Sequence, residues 1–176
     1  MNNISISRDY YLNKLINKRN TKMIKTITGI RRCGKSYLLD PIFKEYLLNS
    51  GIDEKHIIKL ELDSIENIDY REPKKLYNYV MSKIEDNKTY YILLDEIQLV
   101  KDFEAVLNSF LRKPNLDVYV TGSNSKFLSS DVITEFRGRG DEIRVYPLTF
   151  KEFLSVFNGT KEEAWNNYIT YGGMPY

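Results

Sequence analysis

The chain has 176 residues, 26 Lys and Arg against 24 Asp and Glu, and therefore a formal net charge of only +2. Its 42% hydrophobic content, with only 5 Pro and 9 Gly, excludes a disordered or collagen-like chain and fits one globular domain. The single cysteine and single histidine exclude an internal disulfide, a multi-cysteine zinc site and the usual nucleophile–histidine triads.

The predicted elements alternate between helices and strands along the chain. Runs rich in β-branched and aromatic residues predict strands at 23–28, 56–62, 90–94, 117–121 and 142–146. Apolar residues at helical spacing predict helices at 10–20, 36–49, 74–85, 102–112, 150–157 and 162–171, the second of them kinked at Pro41. This alternation predicts an α/β fold, a mostly parallel five-stranded sheet between two layers of helices.

A glycine-rich loop follows the first predicted strand directly. Residues 29–36 fit the pattern G-x-x-x-x-G-K-[ST] and stand between a strand and a helix, as a phosphate-binding loop requires. In such a loop the glycines let backbone N–H groups surround a phosphate, the lysine reaches the β and γ phosphates, and the serine hydroxyl is a ligand of Mg²⁺. The predicted nucleotide-binding residues are Gly29, Ile30, Arg31, Arg32, Cys33, Gly34, Lys35, Ser36 and Tyr37.

Two acidic residues end the third predicted strand. Asp95 and Glu96 stand at the carboxyl end of a strand, where ligands of open α/β sheets collect. Asp95 is the expected second residue of the Mg²⁺ site, and Glu96 is the expected general base for a water that attacks the γ-phosphate. Taken alone, such a pair could also be the acidic first turn of a helix. The absence of D-x-x-G and N-K-x-D patterns argues against a small GTPase.

Polar residues end the fourth strand, and two arginines precede the fifth. Ser123 and Asn124 are candidates to contact the γ-phosphate or its attacking water, although a polar turn also commonly ends a strand. Arg139, or else Arg137, is the candidate for stabilising transition-state charge, because guanidinium binds phosphate oxygens with two parallel hydrogen bonds. A basic surface loop is the alternative for both arginines.

Cys33 lies inside the glycine loop, next to Gly34 and Lys35. A helix start and a neighbouring lysine both favour a thiolate. We therefore expect this thiol to alkylate faster than a thiol of the unfolded chain, and MgATP to slow the reaction.

These motifs, in this order, resemble one family of AAA-type ATPases. The loop 29–36, the sequence LDEIQ at 94–98, TGSN at 121–124, YPLTFKEF at 146–153 and YGGMP at 171–175 are similar to the group called AAA domain 14 with DUF4143. The resemblance implies an additional-strand P-loop fold, binding of ATP and Mg²⁺, hydrolysis, and the roles given above for Lys35, Ser36, Asp95 and Glu96. It makes Ser123 or Asn124 the γ-phosphate sensor.

Members of that group are longer, with a helical lid and a C-terminal domain. We therefore expect an ATPase core at 1–148, the start of a lid at 149–176, and a partner domain beyond. Because no lid arginine is present, the isolated chain is expected to turn over ATP poorly, and the full protein to assemble head to tail with Arg139 reaching the next subunit. There are two alternatives to an ATP hydrolase. One is a slow module that docks in response to bound nucleotide, and the other is a small-molecule phosphotransferase.

The charge of the first residues and the length of the longest apolar run indicate whether nucleic acid or a membrane could be a partner. The first 36 residues carry nine bases and one acid, which suits either nucleic-acid binding or a solvated helix face. The longest apolar run, 90–94, falls far short of the ~18 residues of a membrane span. We therefore expect a cytoplasmic protein without a membrane partner.

Overall fold

Five parallel strands form one sheet in the computed structural model, which describes residues 6–123 and 140–175. The strands are β1 (Ile24–Thr28), β2 (Ile57–Glu61), β3 (Tyr90–Asp95), β4 (Leu116–Thr121) and β5 (Gly140–Arg144). Their order is β2-β3-β4-β1-β5, and every neighbouring pair is parallel. β4 therefore lies between the loop strand β1 and the acidic strand β3. The predicted α/β fold of the additional-strand type is confirmed.

Helices cover both faces of this sheet, and two more helices follow its last strand. They are α1 (Asp9–Asn17), α2 (Lys35–Tyr37), α3 (Lys44–Asn49), α4 (Pro73–Ser82), α5 (Phe103–Leu111), α6 (Phe150–Leu154) and α7 (Lys161–Tyr171). Among the described residues, none of the helices is long and apolar enough to cross a membrane.

The helix that follows the glycine loop is broken where the sequence predicts a kink. α2 continues through the wider turns of Leu38–Phe43 into α3, but Asp40 leaves the helical region, with φ −146° and ψ 121°. Pro41 explains the break, because its ring disfavours a helical residue before it and it has no N–H to donate.

Several predicted boundaries were wrong. α1 ends at Asn17 instead of 20, and β5 ends at Arg144 instead of 146. The fifth strand begins two residues earlier than predicted, at Gly140, where it pairs with the start of β1. α4 ends at Ser82 instead of 85, and α6 ends at Leu154 instead of 157. Sequence periodicity cannot fix such ends, since the last turn of a helix is decided by local capping and packing.

The core consists of two layers that meet at β3. Tyr90, Ile92 and Leu94 pack with α4 and α5 on one face, whereas Tyr91 and Leu93 pack with α1, the turns of Leu38–Phe43 and α3 on the other. Each side chain of β3 is buried. Burying an apolar side chain of this size contributes roughly 1.5–3 kcal/mol, so these residues anchor the acidic end of β3 in the core.

A buried ion pair joins β1 to β4 beside this core. Lys25 pairs with Asp117, and both side chains are almost fully buried. Asp117 also accepts hydrogen bonds from the Tyr119 hydroxyl at 2.9 Å and the Asn20 N–H at 3.0 Å. These bonds satisfy the carboxylate inside the protein and hold β1 and β4 in register, which aligns the carboxyl ends that carry the candidate site.

Candidate active site

The glycine loop runs between β1 and α2 in a form that needs both of its glycines. Gly29 has φ +147°, and a Cβ there would lie 2.3 Å from the Val145 carbonyl oxygen and 2.8 Å from the Cys33 sulfur. Gly34 has φ +94°, a backbone conformation in which any residue other than glycine would be strained. The loop therefore approaches the end of β5 too closely for any larger residue at position 29.

Lys35 is buried and turned into this loop. Its ammonium group donates hydrogen bonds to the carbonyl oxygens of Ile30 at 2.9 Å and Gly29 at 3.2 Å. Only 4% of the residue is exposed. The loop thus holds the lysine charge at its centre. Arg31 and Arg32, by contrast, are exposed, Arg32 with φ +66°.

One threonine links the two acidic residues at the end of β3. The Thr121 hydroxyl, at the end of β4, donates to Asp95 and accepts the backbone N–H of Glu96 at 3.0 Å. Glu96 is in the left-handed region, with φ 56° and ψ 49°. Thr121 therefore fixes where the chain turns after β3, a role that the sequence analysis did not assign to it.

Burial dominates the titration of Asp95. The residue is 7% exposed, and its pKa is raised, first by burial and then by the negative charges of Glu96 and Asp63. Hydrogen bonds from Thr121 and Ser36 oppose this rise. The carboxylate and the Ser36 hydroxyl are thus neighbours, and a cation beside them would relieve the unfavourable burial of the charge.

The carboxylate of Glu96 is held by two side chains. The Ser123 hydroxyl lies 3.0 Å from one carboxylate oxygen and 3.3 Å from the other, and the Gln98 amide donates to the first of these. The structure therefore brings Ser123 and Glu96 together, a contact that the sequence did not predict. Gln98 was missed, although it belongs to the LDEIQ sequence. Asn124, Arg137 and Arg139 lie outside the described residues.

Residues of both motifs line one cleft of about 570 Å³, within the usual size range of small-molecule sites. The motif residues that line it are Arg32, Gly34, Lys35, Ser36 and Glu96, together with the following Tyr37. Four more lining residues, which sequence reasoning missed, are Ile6, Arg8, Leu148 and Pro175. Two of them precede α1, and the other two follow β5.

The turn after α7 explains how Pro175 reaches the cleft. A Cβ on Gly173 would lie 2.2 Å from the carbonyl oxygen of Leu148, and the N–H of Leu148 donates to the Gly173 oxygen at 2.6 Å. The Tyr168 hydroxyl donates to the same Leu148 oxygen at 2.8 Å. The paired glycines of YGGMP were the signal that could have revealed this close approach.

The expectation of a reactive thiol was wrong. Cys33 is fully buried, and its sulfur lies 3.4 Å from the Val145 carbonyl oxygen. Burial raises the pKa of the thiol, and this effect outweighs the charges of Lys35 and Arg8, which lower it. Cys33 is thus a packing residue of the loop, and its side chain faces away from the solvent-exposed arginines beside it.

A family model described as AAA domain, AAA_14, matches residues 21–154. The chain belongs to this AAA domain family. The match begins just before β1 and ends in α6, so it includes the glycine loop, the acidic pair and Ser123. The predicted family resemblance is confirmed, and the chain carries an AAA-type ATPase domain.

Two curated relatives resemble this AAA domain along nearly its whole length. An uncharacterized protein of Haemophilus influenzae is 35% identical over 99% of the chain, and one of Methanocaldococcus jannaschii is 33% identical over 97%. The chain spans 45% and 38% of these two proteins, that is, less than half of either.

Solved structures share the fold of this AAA domain at low sequence identity. A Walker-type ATPase of Pyrococcus abyssi superimposes with a TM-score of 0.62 at 18% identity, over 97% of this chain and 65% of that one. The ADP complex of Saccharomyces cerevisiae Hsp104 gives 0.60 at 15% identity, over 86% and 24%. ORC1 of Aeropyrum pernix, solved in complex with DNA, gives 0.58 at 12% identity, over 93% and 50%.

Proposed function

We propose that this AAA domain binds ATP with Mg²⁺ and hydrolyses it, with Glu96 as the general base. The observation that carries the proposal is the Thr121 hydroxyl bond to Asp95 and to the backbone of Glu96, which fixes both acids beside the glycine loop. A general base must lie within hydrogen-bond reach of the water that it deprotonates, and Glu96 lines the same cleft as Lys35.

The donor set near the loop fits Mg²⁺. The Ser36 hydroxyl and the Asp95 carboxylate are hard oxygen ligands on neighbouring elements, and burial raises the pKa of Asp95, so a bound cation would stabilise its charged form. When bound, Mg²⁺ neutralises charge on the phosphate oxygens. Ser36 and Asp95 would hold it, Lys35 would bind the β and γ phosphates, and the remaining residues of 29–37 would surround the phosphates with backbone N–H groups.

The substitution Glu96→Gln tests the assignment of the base. It keeps the shape and the hydrogen-bonding capacity toward Ser123 and Gln98 but removes the proton acceptor. We expect MgATP binding within about twofold of the parent and a loss of turnover of roughly 10²- to 10⁴-fold. Lys35→Ala should instead lose binding. Parental hydrolysis by the Glu96→Gln protein would show that another group deprotonates the water.

A slow nucleotide-dependent docking module is the second candidate function, favoured by one specific observation. Both Ser123 and Gln98 hydrogen bond to the carboxylate of Glu96, so lone pairs that a general base would offer to a water are already occupied. Nucleotide-dependent association without measurable phosphate release would support this candidate over hydrolysis.

In the longer proteins to which this AAA domain is similar, we propose that hydrolysis is coupled to the region beyond it. Residues 149–176 would begin a helical lid, and α6 and α7 are the helices that this lid would contain. Head-to-tail assembly would bring Arg139 of one subunit to the γ-phosphate of the next. Mixing inactive full-length Arg139→Ala and Glu96→Gln proteins tests this, since mixed assemblies should regain part of the activity.

Binding of nucleic acid is a further proposal for the full protein. The basic first 36 residues and the fold shared with ORC1 of Aeropyrum pernix, solved with DNA, support testing it. The measurement is the ATPase rate of the full-length protein with and without DNA, at two salt concentrations, because phosphate contacts weaken with salt.

A further inference from the structure

A second cavity lies at the edge of the sheet opposite to the glycine loop. It has a volume of about 510 Å³ and is lined by Lys22, Asn108, Leu111 and Arg112. Lys22 stands two residues before β1, and the other three stand at the end of α5, which leads into β4. Because β1 and β4 are adjacent parallel strands, the cavity lies at their amino ends, whereas the proposed ATP cleft lies at their carboxyl ends.

The spacing along α5 places three of these residues on one face of the helix. Leu111 and Arg112 follow Asn108 by three and four positions, and residues at this spacing are neighbours on a helix surface. Leu111 is partly buried against the core. The end of α5 therefore presents an amide and a guanidinium group to the cavity, and the link between α1 and β1 adds the ammonium group of Lys22.

The two cations of this cavity are unpaired. Within the described part of the chain, neither Lys22 nor Arg112 makes an ion pair or a side-chain hydrogen bond, and both are exposed. Lys18, which lies one turn before Lys22, is by contrast paired with Asp141. Two like charges beside one cavity repel each other, so an anion bound between them would stabilise both.

Asn108 supplies a third donor. Its Oδ1 is buried and has no hydrogen-bond partner among the described residues. Its Nδ2 also makes no hydrogen bond with them but is not buried, so Nδ2 is the amide atom that a ligand in the cavity would meet. The described residues that line the cavity thus offer two cations and an amide donor, and none of them carries a carboxylate.

We infer that this cavity is a binding site for phosphate groups. A guanidinium group binds phosphate oxygens through parallel hydrogen bonds, and an ammonium group binds them as a point charge. A single carboxylate would leave one of the two cations unpaired, whereas a phosphate monoester carries nearly two negative charges and a nucleic-acid strand carries one at each phosphate.

Two sources offer such groups: the backbone of a nucleic acid, and a small phosphorylated molecule such as ribose 5-phosphate. For a nucleic acid, the inference rests on the binding proposed above and names a site for it. For a small molecule it stands without that proposal. Neither source depends on the proposed hydrolysis of ATP, because the cavity and the cleft lie at opposite edges of the sheet.

Binding of a fluorescent single-stranded oligothymidylate, measured by anisotropy, tests the nucleic-acid source. We expect Lys22→Gln and Arg112→Gln each to raise the dissociation constant roughly 5- to 10-fold. Lys113→Gln is the matched control, because it removes an exposed cation next to Arg112 that does not line the cavity, and it should change the constant less than about twofold. An equal loss in all three variants would mean that surface charge alone attracts the strand, and would overturn the site.

Titration with ribose 5-phosphate tests the second source. If the parent protein does not bind the strand, but Lys22→Gln and Arg112→Gln weaken ribose 5-phosphate roughly 5- to 10-fold, the site holds a small phosphorylated molecule. The site would then stand, and the proposed binding of nucleic acid would have no support from it. If the parent protein binds neither ligand, or if Lys113→Gln weakens ribose 5-phosphate equally, the inference is wrong.

A footprint on the parent protein covers the case in which a substitution disturbs the fold. Lysine acetylation by acetic anhydride is followed at each residue by mass spectrometry, with and without the ligand that binds. With ligand at about ten times its dissociation constant, roughly one site in eleven is free, so Lys22 should be acetylated about tenfold more slowly. Lys113 should react at an unchanged rate. Equal protection of the two lysines, or protection of neither, would overturn the inference.

Discussion

The Ser123 hydroxyl lies within hydrogen-bond distance of both carboxylate oxygens of Glu96, at 3.0 and 3.3 Å. Ser123 follows β4 and Glu96 follows β3, so the contact joins the carboxyl ends of two adjacent parallel strands. Such an arrangement orients the carboxylate relative to the glycine loop. It also makes the position of the proposed base depend on a residue 27 positions away in the chain.

Removing the Ser123 hydroxyl should therefore slow hydrolysis. We expect Ser123→Ala to lower kcat about tenfold with little change in KM, because the base loses its orientation and binding does not depend on it. Ser123→Thr, which keeps the hydroxyl, is the control and should retain most of the rate. A faster Ser123→Ala enzyme would instead identify this bond as one that restrains Glu96 from acting.

The raised pKa of Asp95 predicts a conflict between stability and function. Because the folded state favours the protonated form, the contribution of Asp95 to stability is greatest at acid pH and declines as the pH rises through its ordinary range and its raised folded value. Asp95→Asn should therefore have a higher urea midpoint than the parent at neutral pH without Mg²⁺, while losing Mg²⁺-dependent ATP binding.

The pH profile supplies the check on this prediction. The stability advantage of Asp95→Asn should shrink as the pH falls, because the parent carboxylate then becomes neutral as well. An Asp95→Asn protein that is less stable than the parent at neutral pH would mean that hydrogen bonds from Thr121 and Ser36 outweigh the cost of burying the charge.

Cys33 should be slow to react in the folded protein. It is fully buried with a raised pKa, so alkylation by iodoacetamide at pH 8 should be at least about tenfold slower than in the urea-unfolded chain. Because it is the single cysteine of the chain, the measured label reports on this thiol alone. Labelling as fast in the native protein as in urea would contradict the packing of the loop against Val145.

A side chain at Gly173 should distort the turn after α7 and thereby change the cleft. A methyl group there would overlap the Leu148 carbonyl oxygen, so Gly173→Ala should displace Pro175 and weaken ATP binding about tenfold or more. Gly172→Ala is the matched control: it meets no atom within 4 Å and costs only the strain of φ +80°, about 1 kcal/mol. Equal affinities for the two variants would show that the turn does not shape the cleft.

The fold and the proposed phosphate end of the site follow from patterns in the amino-acid sequence. The glycine loop depends on residue types at fixed spacing, and β3 on an unbroken apolar run that only a doubly covered strand can bury. Since the carboxyl ends of parallel strands share one edge of a sheet, Asp95, Glu96 and Ser123 had to lie together once the strand order was right.

The rest of the cleft depends on contacts between residues that are distant in the chain. Arg8 and Pro175 are far apart in the chain, and they meet beside Gly34 because α1 and the turn after α7 both pack near the end of β5. The same is true of Cys33, where local sequence predicted a thiolate and packing against Val145 buried a neutral thiol. Spacing along the chain specifies local conformation, whereas burial and side-chain direction depend on neighbours that no local pattern identifies.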